Sequence, residues 1–152
     1  MKTRFLWLIM LGVFANFPLF SQQVEFEKSD QWKFLLTTGN VNFFYKVAAC
    51  HDDANSIHSE YVLLKLENIS DQPIEISWDV LMYYNNKCWN CNNLGPEYHK
   101  VVQLDPGQTI EGKCFDKDKT LRIFSKFLDY KDRPESTLTN FKLINLQTKT
   151  LK

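Results

Sequence analysis

Four cysteines carry most of the chemistry this 152-residue sequence offers: Cys50, Cys88, Cys91 and Cys114. Such thiols can close disulfides, exchange them, or ligate a soft metal ion. An even set of four admits three disulfide pairings. The expected arrangement joins Cys50 and Cys114 each to one member of Cys88-Trp89-Asn90-Cys91. The alternative is a bond within that motif together with a Cys50–Cys114 bond. A Cys-x-x-Cys also suits thiol–disulfide redox chemistry, with Cys88 as nucleophile and Cys91 as resolving thiol. That chemistry normally draws on a helix N-terminus, whose dipole lowers the first thiol's pKa. Here the motif follows Tyr83-Tyr84-Asn85-Asn86-Lys87, a strand running into a polar turn. The segment after it, Asn92-Asn93-Leu94-Gly95-Pro96, is too rich in breakers for a helix. Lys87 is a weak local substitute for the dipole.

The three histidines, His51, His58 and His99, are weak metal candidates beside the thiols. The spacing matches no zinc finger or ribbon, because one Cys-x-x-Cys stands without a second ligand pair. Asp52-Asp53 and Asp116-Lys117-Asp118 lack the regular oxygen spacing of a calcium loop. No Ser/His/Asp order, phosphate-binding glycine loop or pair of acids placed for hydrolysis stands out, and no cofactor is expected. Asn68-Ile69-Ser70 has the form of a glycosylation sequon, but a bacterial-type chain gives it no warrant and an Asn in a turn explains it.

The elements that must position these residues read as short strands. Alternation and turn chemistry predict strands near 32–38, 41–49, 60–68, 74–84, 98–104, 109–114, 121–128 and 138–148. Gly39-Asn40 suits a two-residue hairpin, Asp105-Pro106-Gly107 a tight turn, and Ser70-Asp71-Gln72-Pro73 a strand stop. One face of 74–84 is Ile74, Ile76, Trp78, Val80 and Met82, which places Trp78 in the core. The expected fold is all-β, an antiparallel sandwich of about seven to eight strands. Alternating strand direction gathers 50–59, 85–97 and 114–120 at one pole, bringing all cysteines and histidines together. The turns at Gly39, Asp71, Pro106 and Lys131–Pro134 are expected at the other. Leu81 and Tyr83 break the polar face near the cysteine pole, and Tyr61 and Leu63 fall on the corresponding face of the preceding strand. With Trp89 close by, they form a candidate binding surface, the alternative being that the N-terminal strand or a neighbouring loop covers them.

The run Tyr61-Val-Leu-Leu-Lys-Leu-Glu-Asn-Ile-Ser70, then Pro73-Ile-Glu-Ile-Ser-Trp78, then Leu104-Asp-Pro-Gly-Gln-Thr109 resembles immunoglobulin-like modules of exported bacterial proteins. The resemblance is closest to small, stand-alone modules of uncharacterised function. It covers about two-thirds of the chain beyond residue 21 and implies an immunoglobulin-like sandwich without implying an activity. The chain departs from the antibody pattern, since no cysteines flank Trp78 on the neighbouring strands.

Export is also written in the first residues. Lys2 and Arg4 precede the apolar run Phe5–Phe14, and Ser21 suits cleavage before Gln22. The run is short for a membrane span and is broken by Asn16 and Pro18. The expected organisation is a signal peptide over 1–21, a loose polar lead-in over 22–31 and the sandwich over 32–152. Beyond the leader, 16 basic residues stand against 18 acidic ones without a basic block, which argues against nucleic acid as a partner. The sequence therefore describes an exported, disulfide-stapled, non-catalytic binding or structural module. Its expected destination is the periplasm or exterior of a Gram-negative bacterium. Its expected partner is a protein or glycan, with no membrane span after cleavage. Thiol redox and metal binding are the alternatives.

Overall fold

The computed structural model describes residues 25–129 and 136–152; the expected leader and the Lys131–Pro134 turn lie outside them. In chain order the strands are β1 (Lys33–Thr38), β2 (Val41–Asp52), β3 (Ile57–Asn68), β4 (Ile74–Tyr84), β5 (Lys87–Cys88), β6 (His99–Leu104), β7 (Thr109–Glu111), β8 (Arg122–Phe127) and β9 (Leu138–Thr150). One 3-10 turn at Pro96–Tyr98 completes the described regular structure. In the first sheet β1, β2 and β3 lie side by side, and β7 and β8 both pair with the far edge of β3. In the second, β4 carries β9 on one edge and both β5 and β6 on the other. Every pairing is antiparallel.

Alternation builds the core. Phe43 and Tyr45 of β2, Val62, Leu64 and Leu66 of β3, and Ile74, Ile76, Trp78 and Val80 of β4 are all buried. Trp78 is fully buried and meets Phe43 edge-to-face, ring centroids 5.4 Å apart. Phe141 and Leu143 of β9 and Leu104 of β6 complete the packing. Of the residues expected in a loose lead-in, the described ones, from Glu25 on, include a packed anchor. Phe26 meets Tyr45 at a tilt and Phe141 edge-on, and the Tyr45 hydroxyl bonds both the N–H and the carbonyl of Glu27. A single aromatic in a polar stretch anchors it here, a signal with no periodicity to announce it.

One pole forms as the turn residues dictate. Gly39 and Asn40 both adopt positive φ, the requirement of a two-residue hairpin turn. A Cβ on Gly39 would also collide with Thr148. Ile69 N–H donates to Asn40, Asn68 N–H to Gln108 and Gly107 N–H to Ser70, so three turns meet. The buried Asn68 side chain fastens them, donating to the Gln72 and Asp105 carbonyls and accepting from Ser70. Its burial excludes the sequon reading.

The described strands number nine against an expected seven to eight, β5 being the addition, and the expected alternation of strand direction fails at one place. β7 and β8 run in the same direction along β3, and Leu64 bridges them, donating to Leu121 and accepting from Gly112. They are one edge strand interrupted by an excursion over 113–120. The chain consequently reaches the cysteine pole after β8, where Leu128 bonds His58 and Thr137 bonds Asn85. The residues flanking Lys131–Pro134 therefore stand at the cysteine pole and not at the opposite one. The edge of β4 is broken likewise: β5 and β6 share it, separated by residues 89–98.

Candidate functional site

Each interruption holds one cysteine of a bridge, Cys114 in the first and Cys91 in the second. Cys50 pairs with Cys114 across a sequence separation of 64, and Cys88 pairs with Cys91 across a separation of 3. This is the alternative pairing; the expected cross-links from Cys50 and Cys114 into the motif do not form. The reason is topological. The 113–120 excursion springs from the edge of β3 and folds back over the first sheet toward the end of β2. The 89–98 excursion belongs to the edge of the second sheet.

Between β5 and β6 the edge of β4 is finished by a side chain. Trp89 N–H donates to the Met82 carbonyl at 2.8 Å. Asn90, almost fully buried, then accepts from Met82 N–H at 2.9 Å and donates to the Val80 carbonyl at 2.8 Å. The amide thus supplies the donor and acceptor that the next strand residue would have supplied. β6 resumes the ladder opposite Asp79. In the sequence nothing about the type of Asn90 separates it from the turn asparagines nearby.

The broken edges of the two sheets face each other across a groove. At one end a cavity of about 280 Å³ is lined by Met82, Tyr84, Trp89, Phe124 and Ser136. Next to it, sharing Met82 and Phe124, lies a cavity of about 170 Å³ bordered by Glu97, Lys100, Lys119 and Arg122. The groove therefore has an apolar, aromatic end and a charged end. Trp89 forms the lip and is 70% exposed, its ring edge-on to Tyr84 with centroids 6.2 Å apart. The Tyr84 hydroxyl donates to the Phe124 carbonyl at 2.6 Å, tying the second sheet to the first. Burial, with Tyr98 nearby, pushes its pKa up to about 12.

Of the expected surface residues, Trp89 alone borders this groove. Tyr61 lies on the outer face of the first sheet, under Arg122 and edge-on to Phe124. Leu81 and Tyr83 lie on the outer face of the second sheet, beside Lys142. Since β3 and β4 belong to different sheets, Tyr61 and the Leu81/Tyr83 pair cannot form one patch. Around Tyr61 the structure assembles exposed Ile57, Phe115 and Phe127, the first two beside the Cys50–Cys114 bridge. Phe115 and Phe127 went unnoticed in the sequence because they sit at an excursion and a strand end, where alternation gives no face.

The histidines do not converge. His51 and His58 are cross-strand partners near the β2–β3 tip, their Nδ1 atoms 2.9 Å apart. Asp53 and Asp129 approach His58 at 3.9 and 3.8 Å. His99 is remote from both, bonded to Asp79 at 2.8 Å. Asp79 also accepts from Asn145, and these bonds, Asn145 first, outweigh burial and hold its carboxyl below the usual range. Among the described residues no three His, Cys, Asp or Glu side chains form a metal-ligating group. All four sulfurs are engaged in disulfides.

No protein-family model, curated protein or solved structure matches the chain. What the fold and site define is a class: an all-β protein of two antiparallel sheets, fastened by two disulfides.

Proposed function

We propose that the chain is an exported, non-catalytic binding module of immunoglobulin-like type that takes an apolar segment of a polypeptide partner into the groove between its broken edges. The observation that carries this reading is Trp89: a large aromatic held exposed while its own backbone and the neighbouring Asn90 are fixed to β4. A rigid, pre-placed aromatic at the mouth of an apolar cavity binds with little ordering entropy to lose. The apolar end offers few free polar groups for sugar hydroxyls, because the Tyr84 hydroxyl is already bonded to Phe124. That favours polypeptide over glycan. Two disulfides suit an oxidising compartment, and among the described residues no helix is long and apolar enough to cross a membrane.

The test is binding of the chain, residues 22–152, to a peptide library and a glycan array in parallel. Peptides with bulky apolar side chains are expected to bind, and Trp89→Ala is expected to weaken them about tenfold or more with an unchanged circular dichroism spectrum and melt. Glycan retention without peptide binding would reassign the partner class. Peptide binding unaffected by Trp89→Ala would overturn the assignment of the groove.

A further inference from the structure

We propose that Cys88–Cys91 is an exchangeable disulfide that accepts electrons from a dithiol protein, and that Cys91, not Cys88, is the sulfur the partner meets. The proposal stands apart from the groove. Cys88 pairs with Tyr83, so the bridge lies on the outer face of the second sheet, while Trp89 points to the other side. Three observations support it. The bridge joins neighbours in sequence, and the elements around it are held by other means: β5 by its ladder, the turn after it by Asn90. Opening it leaves those bonds in place. Cys91 is exposed whereas Cys88 is half-buried, so a thiolate approaching in line reaches Cys91. Finally, the Tyr83 hydroxyl lies 3.8 Å from Cys91 Sγ, a donor within reach of a thiolate there.

The steps balance as ordinary exchange. A partner thiolate attacks Cys91 Sγ, the Cys88–Cys91 bond breaks, and Cys88 leaves as a thiolate that takes a proton. The partner's second thiol loses its proton and attacks the partner sulfur of the mixed disulfide. Cys91 leaves as a thiolate facing the Tyr83 hydroxyl and is then protonated. Two electrons and two protons have passed to the chain, and the partner dithiol has become a disulfide.

Two measurements test this. The folded chain is titrated with dithiothreitol, quenched by alkylation and weighed intact. Alkylation confined to Cys88 and Cys91, with Cys50–Cys114 closed and the fold retained, is the expected result. Simultaneous opening of both bridges, or opening of Cys50–Cys114 first, would make the short bridge a staple and overturn the proposal. Cys88→Ser and Cys91→Ser are then each mixed with oxidised glutathione. Free Cys91 is expected to form the mixed disulfide about tenfold or more faster than free Cys88. Tyr83→Phe should shift the pH profile of that reaction upward. Equal rates, or faster reaction at Cys88, would refute the role of Cys91.

Discussion

β3 and β4 each carry an interrupted partner on one edge, and the chain closes the two gaps differently. On β3 the ladder continues through the gap by backbone alone: Leu64 bonds Gly112 on one side of the excursion and Leu121 on the other. The excursion is then pinned from afar by Cys50–Cys114. Arg122 adds a guanidinium bond to the Cys114 carbonyl. On β4 the gap is bridged by the Asn90 amide, and the disulfide beside it is local. In the chain-entropy picture, a bridge of separation 64 contributes about 4 kcal/mol and one of separation 3 about 2. The first excursion is therefore held by its disulfide, and the second gap is closed by a side-chain hydrogen-bond pair. A covalent bond on which the fold depends less is freer to do chemistry.

The largest test of this contrast is removal of the long bridge. Cys50→Ala with Cys114→Ala should lower the unfolding free energy by about 4 kcal/mol in denaturant titration, against about 2 for Cys88→Ala with Cys91→Ala. Equal losses would erase the distinction between staple and exchangeable bond. Next comes Asn90→Ala, which orphans the Met82 N–H and the Val80 carbonyl. A loss of about 3 kcal/mol is expected, more than removal of the neighbouring disulfide produces. Amide hydrogen exchange should localise it to Met82, and an unchanged Met82 rate would show that the amide is not the closing element. The smallest effect is electrostatic. The Asp79 carboxyl, lowered below its ordinary 3.8 by Asn145 and His99, favours the folded state when ionised. That stabilisation is fully present above about pH 3.8 and is lost as pH falls through the lower folded value. Asp79→Asn should flatten that part of the stability–pH curve; an unchanged curve would remove Asp79 from the account.

Much of this was legible residue by residue. Ile74, Ile76, Trp78 and Val80 declare a buried face because side chains alternate along a strand, whatever the partner. Gly39-Asn40 and Pro106-Gly107 declare turns because few residues adopt those dihedrals. The site was legible only in pieces. Trp89 stood out by type, but its neighbours Met82, Tyr84 and Phe124 come from separate strands and meet only across the two sheets. Tyr61 and Tyr83 looked like one surface because alternation gives a face without saying to which sheet it belongs.

The sequence by itself determined every described strand but β5, the turns at one pole, the core face of β4 and an even set of thiols. These are local properties, written in period-two burial and in the dihedral preferences of single residues. Only the tertiary structure decided that β7 and β8 are one broken strand, that Asn90 completes an edge, and which sulfurs meet. Each of these depends on which backbone groups remain unpaired once the sheets have formed, and unpaired edge groups are a property of the whole assembly.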